Sequence, residues 1–332
     1  MNLTLQSRFS RRFGLITPIA LAPMAFASGG ALAAACARAG ALGLVGGGYG
    51  DLDWTRREYN LAQDRGGDTG RIGCGFIVWK LDEDASALDW VLERRPRAVM
   101  LSFGDPRPYA PRIAAAGADL LFQVQRLEQV PMALEAGASV IVAQGGEAGG
   151  HSMNSLNSRA IISFVPELAD WLAAHSPETL LLAAGGIADG RTLAAARVLG
   201  ADGALVGSRL WATAESLAAA GAKQQALATS GDGTARSRVF DILRGKNWPA
   251  PYDFRCIRNE LHRRWENRID ELVAAPQAAR AEYESGMRAG DFSRGHATVG
   301  EAVGLIHDLP PAAELIARMT QQAEAILGPG PA

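Results

Sequence analysis

The sequence predicts an α/β fold of the TIM (β/α)8 barrel type carrying a small inserted helical subdomain, and three observations support this. Eight short apolar runs alternate with alanine-rich helical segments between Pro18 and Val206. The runs are continuously apolar rather than alternating, the pattern of strands buried on both faces of a parallel sheet. Several helical segments end in a glycine, Gly40, Gly137 and Gly200, which suits a helix C-cap before the next strand. A doubly wound open sheet shares this alternation, but eight evenly spaced units favour closure.

In order, the candidate strands are Pro18–Pro23, Leu42–Gly46, Ile72–Val78, Ala98–Ser102, Leu120–Val124, Ser139–Ala143, Leu180–Ala184 and Gly203–Val206. Helical patterns lie between them, for example Gly30–Ala39, Leu127–Ala136 and Gly190–Leu199. Ala-Gly-Ala triplets at 39–41, 116–118 and 136–138 mark returns from helix to strand. After Arg209 the pattern changes. Ala214–Ala228, Arg255–Leu272 and Gln277–Ala289 read as helices, with a polar turn at Ser230–Thr234 and a proline-aromatic loop, Trp248-Pro249-Ala250-Pro251-Tyr252. No strand run stands out there. The reading is therefore a barrel over 1–208 and 300–332, with a helical insertion over 209–299. Gly300–Ile306 and Pro311–Leu327 are helices that return to the barrel.

The 332 residues are 48% apolar and 20% charged, with a net charge of −2. That composition describes a globular chain and argues against a general affinity for nucleic acid or anionic membranes, leaving only local patches. Cys36, Cys74 and Cys256 are far apart and lack metal-ligand spacing, so buried thiols in a reducing cytoplasm are expected and no metal is. Ser10-Arg11-Arg12-Phe13 before the apolar run Leu15–Ala27 imitates a twin-arginine export signal. Pro18 and Pro23 interrupt that run, which reads better as a strand followed by a helix.

In a barrel the active site is built at the C-terminal ends of the strands. The sixth candidate strand runs into Gln144-Gly145-Gly146-Glu147-Ala148-Gly149-Gly150-His151, a glycine density that no regular element tolerates. His151 is thereby the candidate acid–base residue among five histidines. The others, His175, His262, His296 and His307, default to surface or packing roles. Glu147 is expected to anchor backbone or to orient His151. The seventh strand ends in Gly185-Gly186 and the eighth in Gly207-Ser208-Arg209. Both offer backbone N–H groups leading into a helix, a cradle for a phosphate. Small residues after the first strand, from Ala22 to Gly30, would admit a flat ligand. Tyr49, Phe76 and Trp79 could wall the pocket or pack in the core.

Ala22-Pro23-Met24, the Gln144–His151 stretch, Ala184–Arg191, Gly200–Glu215, Trp248-Pro249, Arg255, Asn259 and Gly300–Ile306 together resemble the nitronate monooxygenase (2-nitropropane dioxygenase) family over nearly the whole chain. The resemblance implies FMN at the barrel mouth. Its phosphate would lie on Gly185, Gly186, Gly207 and Ser208, with Ala22, Met24, Gln123 and Gly150 beside the ring and ribityl chain. His151 falls on the family's catalytic base, which takes the proton α to a nitro group. Nitronate oxidation with O2 to a carbonyl compound and nitrite would follow, the flavin supplying the redox step. The implied partners are a nitronate or nitroalkane and O2, with a homodimer left open. Two alternatives stand beside this reading: an NAD(P)H-dependent quinone or enoyl reductase on the same scaffold, and a non-catalytic phosphate-ligand-binding barrel. The chain carries Ser152-Met153 where many relatives carry Arg-Gly.

Overall fold

The computed structural model describes residues 5–67 and 70–328. Eight parallel strands, Ile19–Leu21, Gly43–Gly48, Ile72–Ile77, Ala98–Ser102, Asp119–Val124, Val140–Gln144, Leu180–Ala184 and Gly203–Val206, follow one another around a single sheet. The first strand pairs with the last in register Ile19↔Ala204 through Leu21↔Val206. It meets the second at the Ala20↔Leu42 bridge, where Leu21 N–H donates to Leu42 O at 2.8 Å and Leu42 N–H to Ile19 O at 3.0 Å. The sheet thus closes into a barrel, and all eight expected strands are present within two residues of their expected ends.

The continuous apolar runs are explained by two cores. Inside the barrel, Ala20, Leu42, Leu44, Met100, Leu121, Val142, Leu182 and Leu205 pack with one another. Outside it, Ile19, Val45, Leu101, Ile141 and Val206 meet the helix layer. The interior is sealed at its lower end by Phe9, Phe13 and Leu15. Phe9 and Phe13 belong to the helix Arg8–Phe13, capped by Ser7. The stretch that imitates an export signal is therefore the barrel's plug. Its Arg12 pairs with Asp119 and Arg8 with Asp202, at the strand starts. Among the described residues no helix is long and apolar enough to cross a membrane.

The segment after Arg209 corrects one expectation, for it contains two strands. Thr234–Ser237 pairs antiparallel with Tyr252–Ile257, which pairs in turn with Gly150–Met153 directly after the glycine loop. Tyr252–Ile257 turns Phe254 and Cys256 into a small second core with Phe240, Leu261, Leu272 and Tyr283, and leaves Asp253 and Arg255 less buried. That period-two pattern is the signature of a half-exposed antiparallel strand, and Arg255 had read instead as the start of a charged helix. Ala220–Leu227 is shorter than the expected 214–228 helix, and the expected 255–272 helix is replaced by the strand and the short helices Glu260–Trp265 and Ile269–Ala274. Val239–Leu243 is an additional helix, and Gln277–Ala289 is as anticipated. Glu301–Leu305 is a 3-10 turn, and the long helix Ala312–Leu327 packs back onto Gly190–Val198.

Candidate active site

One large cavity, about 800 Å³, opens at the C-terminal ends of the strands. Ala22, Met24, Gln123, Gly150, His151, Gly185, Gly186, Gly207 and Ser208 all line it, although they come from five different strand ends. The backbone N–H groups of Gly185, Gly186 and Gly207 donate to nothing among the described residues. Gly185 and Gly186 hold φ of +99° and +72°, a left-handed backbone that glycine adopts without steric cost. Ser208 Oγ accepts the N–H of Gly300 at 2.8 Å, which leaves its hydroxyl proton free to donate into the cavity. A Cβ on Gly207 would reach within 3.6 Å of Ala22 Cβ and 3.9 Å of Met24 Sδ, so a small residue keeps this wall flat. These features fit a phosphate-bearing planar ligand.

The glycine loop serves the protein's own backbone as much as any ligand. A Cβ on Gly149 would lie 2.5 Å from the Gly300 nitrogen, and one on Gly145 would collide with Glu147 and Ile161. Within the stretch, Gly145 and Gly146 stay off the cavity, which is lined by Gln144 and by Glu147 to His151. Arg236 pins it from behind. Its Nη1 donates to Gly150 O at 3.2 Å and Asp253 O at 2.7 Å, and its Nη2 to Gly146 O at 3.3 Å and Ala148 O at 2.9 Å. Glu147 Oε1 accepts the Ile161 N–H at 3.0 Å, so its role is to anchor the following helix and it does not touch His151. Burial raises the Glu147 pKa above the ordinary carboxylate value.

His151 sits on the strand Gly150–Met153 and is buried. Its Nε2 lies 2.9 and 3.1 Å from the two carboxylate oxygens of Asp241. Trp248 stacks on the imidazole at 3.4 Å between centroids and 11° between planes, and Phe254 tilts against it at 4.8 Å. Gln144 Nε2 donates to His151 O at 3.0 Å, while Gln144 Oε1 accepts from Gln123 and Gln125. Burial lowers the His151 pKa to about 4. Asp241 opposes that shift by hydrogen bonding and charge, while Arg244 and Arg236 reinforce it. The imidazole is therefore neutral at pH 7 and able to accept a proton.

Asp241, Arg244 and Trp248 are the residues for which sequence reasoning gave no functional role. Asp241 is 90 positions from His151 and is joined to it only by the fold. Its signal was a lone carboxylate inside the apolar run Val239-Phe240-Asp241-Ile242-Leu243. Arg244 Nη1 lies 3.7 Å from Asp241 and its Nη2 donates to Tyr49 OH at 3.3 Å, which also accepts from Trp248 Nε1 at 3.0 Å. Tyr49 and Phe76 wall the cavity, whereas Trp79 packs behind it against Trp248 at 5.3 Å. His296 also lines the cavity, bonded through Nδ1 to Tyr283 OH at 2.9 Å, which corrects its assignment to packing or surface alone. Ser152 and Met153 do not line the cavity; they are buried in the three-stranded sheet opposite Asp253 and Tyr252. The grouping Ser237–His262–Glu266 looks like a hydrolytic triad, but it lines no part of the cavity and the Ser237 hydroxyl also accepts the Val239 N–H.

A closed barrel with unpaired amides, a small-residue wall and a buried neutral imidazole on one cavity is the arrangement of an α/β-barrel enzyme. Residues 74–322 match the family model described as nitronate monooxygenase. The nitronate monooxygenase of Neurospora crassa is 32% identical, with 91% of this chain and 88% of that protein covered. Nitronate monooxygenase npaC of Metarhizium robertsii is 34% identical over 92% and 90%. Among solved structures, FabK from Thermotoga maritima superposes with a TM-score of 0.80 at 25% identity, covering 98% of each chain. A nitroalkane oxidase from Streptomyces ansochromogenes gives 0.78 at 25% identity, covering 97% of this chain and all of the other. The chain belongs to the nitronate monooxygenase family, whose members are flavin-dependent oxidoreductases.

Proposed function

We propose that this protein is an FMN-dependent nitronate monooxygenase that oxidises alkyl nitronates, and neutral nitroalkanes after deprotonation, with O2 to carbonyl compounds and nitrite. The observation that carries the reading is the placement of His151 on the same cavity wall system as the unpaired N–H groups of Gly185, Gly186 and Gly207. Those amides and the Ser208 hydroxyl would hold the FMN phosphate, and Ala22, Met24, Gln123 and Gly150 would border its ring and chain. When bound, FMN supplies the electron acceptance that the polypeptide lacks.

The chain's own contribution is recognition and proton transfer. His151, neutral and enclosed, takes the α-proton of a nitroalkane, and the electron pair left behind moves onto the nitro oxygens. Trp248 and Phe254 keep water from the imidazole faces. A nitronate arrives already ionised and needs no such base. We place the enzyme in the cytoplasm, a setting in keeping with its three buried free thiols.

Two measurements test this reading. Purified protein should be yellow, with oxidised-flavin absorbance released as FMN on denaturation. Colourless protein that takes up no flavin would leave only a silent binding barrel. His151→Ala should lose most turnover of a neutral nitroalkane, on the order of 10²-fold or more for removal of a general base. Wild-type turnover in that variant would exclude His151 as the base.

A further inference from the structure

We propose that Asp241 is the positioning residue of the site: it holds His151 in the tautomer that carries its proton on Nε2, so that Nδ1 is the atom presented to substrate. The inference rests on the reading of His151 as the base. The geometry is specific about which nitrogen is engaged. Nε2 lies within hydrogen-bond distance of both Asp241 oxygens, 2.9 and 3.1 Å, and a carboxylate only accepts. The proton between them therefore belongs to Nε2. Nδ1 has no hydrogen-bond partner among the described residues, yet it is not one of the polar atoms sealed from solvent. Since His151 lines the cavity, Nδ1 is the lone pair open to it.

The same placement balances the charge of the reaction. The Cα–H bond of the nitroalkane breaks, its electron pair stays on the substrate as the nitronate, and the proton forms a bond to Nδ1. His151 then carries two N–H groups and a positive charge in a buried site, where an unpaired charge is costly. Asp241, itself buried, faces that charge through Nε2–H. The other charged groups nearby, Arg244 and Arg236, disfavour the imidazolium, and His296 is a further titratable neighbour. Asp241 is thus the group that both fixes the ring and stabilises the protonated product state. Arg244 Nη1, 3.7 Å from Asp241 Oδ1, lies beside the same carboxylate oxygen and attracts its negative charge.

The direct test is nitrogen-15 NMR of the flavin-loaded protein with labelled histidine, the His151 signals identified by their loss in His151→Gln. The expected result is a protonated Nε2 and a bare Nδ1 at neutral pH. A protonated Nδ1 with a bare Nε2 would overturn the proposal, and this measurement needs no folded variant of Asp241. The kinetic test is Asp241→Asn, compared with wild type as the ratio of neutral nitroalkane turnover to nitronate turnover. The ratio should fall at least tenfold, and the acid limb of the nitroalkane pH profile should move to lower pH because the negative charge no longer favours His151 protonation. Asp241→Glu, which restores the charge, should recover part of both. An unchanged ratio and an unchanged limb in Asp241→Asn would refute the assignment. Failure of the functional reading looks different: wild-type enzyme would consume nitronate but no neutral nitroalkane, while the tautomer measurement would still decide what Asp241 does.

Discussion

Replacing Arg236 with methionine should loosen the active-site loop without touching the cavity wall. The guanidinium makes four contacts to the carbonyls of Gly146, Ala148, Gly150 and Asp253, between 2.7 and 3.3 Å. Hydrogen bonds to a charged group are worth about 1.5–3 kcal/mol each. Much of that sum offsets the cost of burying the guanidinium, which methionine removes, so the net loss is about 3 kcal/mol. With an unfolding entropy of about 2.1 cal/mol/K per residue over the 332 residues, that loss corresponds to a fall in Tm of about 4 °C. The functional effect should be larger than the thermal one. Gly150 precedes His151, and a displacement of about 1 Å in a reacting group can cost on the order of 10²-fold in rate. Calorimetry and nitroalkane turnover together check the argument. A Tm within 1 °C of wild type and a rate within about twofold would show that Arg236 does not hold the loop and that its four hydrogen bonds contribute little net stability.

Three further outcomes follow from the same geometry. Gly207→Val should fold, because a Cβ there meets only ordinary contacts, but its branched side chain should obstruct the phosphate cradle. FMN content and affinity should fall at least tenfold, and stoichiometric flavin at wild-type affinity would remove Gly207 from the cofactor site. Burial lowers the folded-state pKa of His151 to about 4 and of His296 to about 3, whereas unfolding returns both toward 6.5. The unfolded chain therefore binds more protons below pH 6.5, and stability should be retained above that pH and fall as pH drops towards 4, by up to about 1.4 kcal/mol per pH unit for each histidine. Urea midpoints read at pH 7.5, 5.5 and 4.5 test this; a flat profile, or one that rises toward acid, would contradict it. Trp248→Ala exposes the imidazole face that it now covers, so the acid limb of nitroalkane turnover should move up toward the ordinary histidine range. An unmoved limb would mean that burial by Trp248 does not depress the His151 pKa.

The barrel was legible because a strand buried on both faces must be continuously apolar, and Val140–Gln144 or Leu180–Ala184 can hardly read otherwise. Glycine at a strand end is similarly explicit, and Gly185, Gly186 and Gly207 all stand at the cavity. Two kinds of information were harder to read. Thr234–Ser237 and Tyr252–Ile257 are short and polar on one face, and their partner strand, Gly150–Met153, is hidden behind the glycine loop. The Asp241–His151 pair depends on that small sheet and its adjoining helix, which bring together residues 90 positions apart, so no local pattern announces it. In the glycine loop itself, the density of glycine reflects packing as well as the cavity: Gly145 and Gly149 are small because Glu147, Ile161, Val299 and Gly300 leave no room for a side chain.

Anaerobic mixing of the purified, flavin-loaded protein with an alkyl nitronate, and separately with NADH, tests the central claim most directly. The site described here predicts that nitronate bleaches the flavin absorbance and that NADH leaves it unchanged. Bleaching by NADH with no response to nitronate would contradict the account and make the protein a pyridine-nucleotide-dependent reductase on the same barrel.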